Sequence, residues 1–207
     1  MCIVVGMGSF NGHRKSLRHF HESGDFHELT FSCYQRWQLI MNDEWRLLLS
    51  KCIDDAIVEA QFELVSFVYM PEHLHLLVYP TGKDVDIGKF LARVKQPFSK
   101  QIKDILIATR STLLSRLTIR ERPGKDCFRF WQEGAGYDRN VRSPEALEAS
   151  INYIHNNPVR RGLCARATDW PWSSARYYLQ LPTKQQFAGL PHIHGIPPGA
   201  LGHVVAE

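Results

Sequence analysis

A chain of 207 residues with 44% hydrophobic side chains and five tryptophans suits one domain with extensions and holds enough apolar surface for a core, which excludes global disorder. Net charge is only +4, and no apolar stretch reaches the roughly 18 residues that a membrane-spanning helix requires. The cysteines (Cys2, Cys33, Cys52, Cys127, Cys164) are odd in number, widely spread and lack a CxxC pair, which argues against a disulfide scaffold or a cysteine zinc site. With a start, MCIVVGMGSF, that has no basic region before its apolar run, they predict reduced thiols and a cytoplasmic location.

In chain order, residues 1–24 are polar, carry a loose His/Arg/Lys cluster and read as an extension. FHELTFSCY (26–34) is a first strand, rich in aromatic and β-branched side chains. Asn42-Asp43-Glu44 opens a helix, with acids at the positive end of its dipole, and Trp45, Leu48, Leu49, Cys52, Ala56 and Ala60 follow at helical spacing. FELVSFVYM (62–70) is a second strand. Pro71-Glu72 bends the chain, and residues 73–79 return as a third strand, a hairpin partner of the second. A helix begins near Asp86 with Ile87, Phe90, Leu91, Val94, Phe98, Ile102 and Ile105 on its buried stripe, and Pro97 should kink or split it.

Between Lys89 and Arg129 eleven Lys and Arg face three acids, which suggests a surface for a polyanion or, equally, a solvated helix face and loop. Residues 108–127 read as a loop and Phe128–Trp131 as a short edge strand. Ser143-Pro144-Glu145 is a helix entry, Leu147, Ile151 and Ile154 mark that helix's core face, and Pro158 stops it. From Leu181 onward Pro and Gly dominate, as in a poorly ordered tail. The order of elements predicts an α+β protein, an antiparallel sheet with helices packed on one face, in a domain spanning 25–180 between an extension (1–24) and a tail (181–207).

The chemistry sits in two strings. In Met70-Pro71-Glu72-His73-Leu74-His75-Leu76-Leu77 a strand's alternation puts His73, His75, Leu77 and Tyr79 on one face and Leu74, Leu76 and Val78 on the other, so the imidazoles project together as a divalent cation requires. In Tyr153-Ile154-His155-Asn156-Asn157-Pro158 helical spacing sets Tyr153 and Asn157 near one another on a flanking face.

MPEHLHLLV resembles the histidine–hydrophobic–histidine (HUH) motif of single-tyrosine transposases of the insertion-sequence type. FWQEGAGYDRNVRSPEALEASINYIHNNPVRRGL followed by DWPWSS resembles the carboxyl half of the REP-associated tyrosine transposases. The likeness runs over roughly residues 26–178 and implies a ferredoxin-like fold and cleavage of single-stranded DNA beside hairpin or palindromic repeats. It also implies a 5′-phosphotyrosine intermediate and a divalent metal, Mg²⁺ or Mn²⁺. By position, His73 and His75 match the catalytic metal ligands, Tyr153 the nucleophile and Asn157 the third metal ligand. Because the residue before proline avoids the α region, Asn156 and His155 remain alternatives for that third place. Lys89, Arg93, Lys95, Arg139 and Arg142 are the candidate DNA contacts. Tyr137, in GYDRNV, competes with Tyr153 but lacks a polar residue a turn away and lies beside two glycines. Trp170 and Trp172 fit core anchoring better than base stacking.

A second histidine–hydrophobic–histidine string, His192-Ile193-His194, has no apolar strand around it and reads as coincidence. A hairpin-binding module without the chemistry is the alternative function, and the intact His73, His75, Tyr153, Asn157 set speaks against it. A hydrolytic metalloenzyme is remote without an HxHxDH string. Whether the protein is a monomer or homodimer is open at this level.

Overall fold

A computed structural model describes residues 24–200 except 84, 135 and 180–188. Strand β1 (Phe26–Ser32) leads through a 3-10 turn (Tyr34–Arg36) to α1 (Asp43–Ala60), followed by β2 (Phe62–Tyr69), β3 (His73–Pro80) and α2 (Ile87–Ala108). Then come a one-turn α3 (Leu113–Leu117), a hairpin of β4 (Thr118–Arg122) and β5 (Lys125–Phe128), β6 (Tyr137–Val141), α4 (Pro144–Arg160) and α5 (Ala175–Leu179). The helix starts are capped as read: Asn42 Oδ1 accepts from Trp45 N–H at 3.0 Å and Ser143 Oγ from Ala146 N–H at 3.2 Å.

The main sheet has the order β2-β3-β1-β6 with every neighbouring pair antiparallel, the ferredoxin-like arrangement, so β3 and β1 are central. Alternation sorts its side chains. Leu29, Phe31, Leu74, Leu76 and Val78 join Leu49, Ile53, Phe90, Val94 and Phe98 in one core, so α1 and α2 cover that face. Phe26, Val68, Leu77 and Val141 pack with Leu147, Ile151 and Ile154 on the other. Helices on one face is therefore correct for α1 and α2 alone, because α4 has its own apolar stripe and covers part of the opposite face.

Several local expectations are corrected. α2 runs unbroken through Pro97, which lies exposed, while Phe90, Val94, Phe98 and Ile102 hold both halves against one core. α4 likewise continues through Pro158 to Arg160. The stretch 108–127 contains α3 and the β4–β5 hairpin. Its turn, Pro123-Gly124, places Gly124 at φ 78°, and Arg120 faces Asp126 across the strands. The fourth strand of the sheet is β6, in the glycine-flanked GYDRNV stretch, rather than residues 128–131.

The free edge of β2 is covered. Tyr69 N–H donates to Trp172 O, Ser174 N–H to Phe67 O and His194 N–H to Leu64 O, so the WPWSS segment and part of the expected tail lie along it. Ile193 is buried in the core, and residues 189–200 are thus docked rather than loose. His194 Nδ1 accepts from Leu64 N–H, which uses the second histidine string structurally. Residues 1–23 of the expected extension lie outside the described residues. Among the described residues no helix is long and apolar enough to cross a membrane, and Cys33, Cys52, Cys127 and Cys164 are unpaired.

Candidate active site

β1, β3 and β6 form the floor of an open cavity of about 800 Å³, and α4 forms one wall. The register sets Thr30 opposite His75 on one side and opposite Tyr137 on the other, with Ser32 opposite His73. All five side chains line the cavity, together with Tyr153 and Asn157 of α4.

The histidines are buried and their Nε2 atoms face each other at 3.1 Å. Each outer nitrogen has a neighbour: Thr30 Oγ1 is 2.7 Å from His75 Nδ1, and Glu72 Oε1 is 3.1 Å from His73 Nδ1, slightly off the ring nitrogen's axis. A carboxylate beside Nδ1 favours the tautomer that carries its proton there, which leaves His73 Nε2 free to ligate. Burial drives the pKa of His75 down to about 3, with the charges of His73 and Arg36 adding to it. Burial likewise lowers His73, helped by Arg36 and Arg161, against the opposing pull of Glu72. Both rings are neutral at pH 7, the ligating form.

The close approach of the two Nε2 atoms, 3.1 Å apart, puts both within reach of one divalent cation. Asn157 is buried, with its amide 3.2 Å from His75 Nε2, and a half-turn of that amide presents Oδ1 instead of Nδ2. The donor set fits a divalent ion: two imidazoles, one amide oxygen, the remaining positions open to solvent and substrate. Among the described residues there is no cluster of three His, Cys, Asp or Glu that could hold a metal, and Asn157 is the polar side chain placed beside the imidazole pair.

Of the alternatives for that place, His155 points elsewhere. Its Nε2 is 2.8 Å from Ser174 Oγ and 3.1 Å from Ser66 Oγ, an anchor of α4 to β2 and the WPWSS segment. Asn156 donates to Asn152 O at the helix surface. The Pro158 restraint does not loosen α4 at Asn157.

Tyr153 is 41% exposed, and its ring meets that of His75 edge-on with centroids 5.4 Å apart. Tyr137, also exposed, lines the same cavity from β6. Of the other candidates, Arg139 reaches the cavity, where it donates to Glu28 at 2.6 Å and to Ser150. Arg142 pairs with Asp25. Lys89, Arg93 and Lys95 belong to α2, across the sheet from the site. Arg93 pairs with Glu59 at 3.0 Å, and the Lys95 ammonium lies 4.6 Å from the centre of the Phe31 ring. These three are not brought to the cavity. Trp170 and Trp172 anchor, as expected: Trp170 Nε1 donates to Tyr69 O and Trp172 packs on the core.

The sequence reading missed Thr30, Glu72, Arg36, Arg160 and Arg161, all at the site. Glu72 adjoins His73 and Arg160-Arg161 end the tyrosine string, so their proximity in sequence was a usable signal. Thr30 becomes visible only through strand register.

Residues 25–119, just under half of the chain, match the family described as "Transposase IS200 like". That match contains the histidine strand and stops before α4. A protein of Haemophilus influenzae, provisionally named a REP-associated tyrosine transposase, is 30% identical over 113 residues, 55% of this chain and 58% of that protein. The REP-associated tyrosine transposase of Escherichia coli K12 is 26% identical over 114 residues, 55% of this chain and 54% of that one. The chain thus spans little more than half the length of the curated relatives it matches. A solved REP-associated tyrosine transposase bound to a REP hairpin matches with a TM-score of 0.62 over 80% of this chain and 86% of the other. At 19% identity that likeness is one of fold.

Residues 25–119 are thus similar to the IS200-like transposases, and the fold is similar to that of the solved REP-associated tyrosine transposase. In sequence, REP-associated tyrosine transposases are among the proteins it resembles.

Proposed function

We propose that the chain is a transposase that nicks and rejoins single-stranded DNA beside hairpin or palindromic repeats through a 5′-phosphotyrosine. The observation that carries this reading is the meeting of the Tyr153 ring with the paired imidazoles in one open cavity, all four key side chains coming from a single copy of the chain. The solved relative's bound REP hairpin supports a substrate of the same kind.

A phosphodiester repels nucleophiles by its charge and has a poor leaving group. His73, His75 and Asn157 would hold a divalent cation, Mg²⁺ or Mn²⁺, which would supply neutralisation of the phosphodiester's charge. Tyr153 Oη attacks the phosphorus, forming an Oη–P bond as the P–O3′ bond breaks. The phenol proton leaves to water, and the 3′-oxygen departs as a hydroxyl after taking a proton from solvent. The link conserves the bond's energy, so a 3′-hydroxyl can reverse the step and join strands. Thr30 and Glu72 hold the imidazoles in their ligating orientation. His155, bonded to Ser66 and Ser174, fixes the seat of α4.

The test is incubation with labelled single-stranded oligonucleotides bearing hairpins, with Mg²⁺ or Mn²⁺, followed by denaturing electrophoresis. A denaturation-resistant adduct is expected, absent with EDTA and absent in Tyr153→Phe. Hairpin binding without an adduct in the unaltered protein would leave the binding-module reading in its place.

A further inference from the structure

Four arginines line the cavity, Arg36, Arg139, Arg160 and Arg161, with Glu28 as the acid in its lining and Glu72 buried beside His73. Arg139 is committed to Glu28, and Arg161 lies 2.9 Å from Glu72. The other two keep charge to spare. Arg36 is 3.9 Å from Glu72, the limit of an ion pair, with its side chain 65% exposed. Arg160 is stacked over the Tyr153 ring, 5.2 Å from its centre, with no carboxylate partner among the described residues.

The backbone at Arg36 adds an independent sign. Gln35 and Arg36 have φ of 51° and 55°, two successive non-glycine residues in the left-handed region. Side chains with a Cβ resist that region, and such residues cluster where strain serves a site. Here the turn is pinned by Arg36 N–H to Cys33 O and by Gln35 N–H to the Gln132 side chain, and it delivers a long cationic side chain into the cavity. Arg36 shares the cavity lining with His73 and His75, whereas Arg160 contacts the tyrosine. One cation therefore serves the imidazole side of the site and the other the phenol side, and the negative charge that lies between those groups in the proposed reaction is a phosphodiester.

We propose that Arg36 and Arg160 are phosphate-binding residues of the site, gripping a single strand's sugar–phosphate backbone at and beside the reacting phosphodiester. This rests on the reading of the cavity as a nucleic-acid site and names two residues that grip the substrate directly. Guanidinium forks suit that task because they pair two donors with phosphate oxygens.

The experiment uses Tyr153→Phe protein, which keeps the ring under Arg160 and removes the nucleophile. Binding to a labelled single-stranded hairpin oligonucleotide is followed by fluorescence anisotropy over a range of salt. Each phosphate contact on a single strand contributes roughly 0.7 to the slope of log K against log salt. Adding Arg36→Gln or Arg160→Gln is expected to weaken binding several-fold and to flatten the slope by about 0.7 each. Arg36→Lys should restore the slope, since it restores the charge. Lys100→Gln, on α2 and paired with Asp104, should change neither quantity. Unaltered slopes in both glutamine variants, or no oligonucleotide binding by the Tyr153→Phe protein, overturn the proposal. Slopes that fall as expected while the unaltered protein forms no adduct would uphold the two residues and sink the strand-transfer reading.

Discussion

At the scale of single residues, the site depends on which atom of each imidazole carries a proton. Thr30 Oγ1 is the only neighbour described for His75 Nδ1, at 2.7 Å, and it sits there because β1 and β3 pair in a register that sets Thr30 opposite His75. Thr30→Val keeps the β-branched shape and removes that neighbour, so the ring can turn or change tautomer. Losing such a supporting contact typically costs a metal site about 10- to 100-fold in affinity. Mn²⁺ affinity measured by calorimetry is expected to fall by about tenfold or more, with the thermal unfolding midpoint little changed. Unchanged affinity would make Thr30 a packing residue. The two tyrosines separate in a similar way. Tyr153 touches His75 whereas Tyr137 only lines the cavity, so Tyr137→Phe should still form the adduct that Tyr153→Phe lacks. The sequence made the His73–His75 and Tyr153–Asn157 pairs legible through alternation in β3 and helical spacing in α4. It could not reveal Thr30, because register between distant strands is set by the whole sheet.

At the scale of elements, the strands of the main sheet were legible in three of four cases. The exception, β6, was obscured by its glycines. Gly136 explains their presence: its φ is +81°, and a Cβ there would lie 2.2 Å from Thr30 O, on the backbone of β1. The glycine permits close approach of the strand entry to β1, where composition alone suggested a loop. Gly136→Ala therefore meets both a disfavoured backbone and a clash with main chain that cannot swing aside. It should destabilise by about 2 kcal/mol or more in urea unfolding, a larger effect than a loop glycine would show. Because the displaced atom belongs to Thr30, Mn²⁺ affinity should fall as well. The two proline expectations failed for a related reason. Pro97 and Pro158 each remove one backbone donor, yet both lie in helices whose apolar stripes are already seated on the sheet, at Val94 and Phe98 in one case and Ile151 and Ile154 in the other. Packing outweighed the local signal.

At the scale of the whole molecule, the distribution of charge along the chain says less than its distribution in space. The basic stretch from Lys89 suggested a polyanion surface or, equally, a solvated helix face and loop; α2 lies on the face of the sheet opposite the cavity and pairs Lys89 with Asp86, Arg93 with Glu59 and Lys100 with Asp104. Positive charge gathers at the site from Arg36 in the β1–α1 turn, Arg139 in β6 and Arg160-Arg161 at the end of α4, a convergence that only the fold produces. Lys95 offers a test of this division. Its ammonium is packed between the Phe31 ring and Gly134 O, and burial lowers its pKa from 10.5 to about 8. Below about pH 8 the folded protein carries a charge that burial disfavours. Between pH 8 and 10.5 the unfolded chain still holds the proton that the folded chain has released, so stability rises with pH across that window. Lys95→Met removes the charge at every pH. It should gain about 2 kcal/mol at pH 7, allowing for partial exposure, and that advantage should shrink from pH 8 upward and vanish above the unfolded pKa. Urea unfolding of both proteins at pH 7, 9 and 10.5 reads the difference, in which other titrating groups cancel. A DNA contact at Lys95 would predict the opposite balance, no gain in stability and weaker oligonucleotide binding in the variant. Because the ammonium lies across the sheet from His73 and His75, adduct formation by Lys95→Met should match that of the unaltered protein.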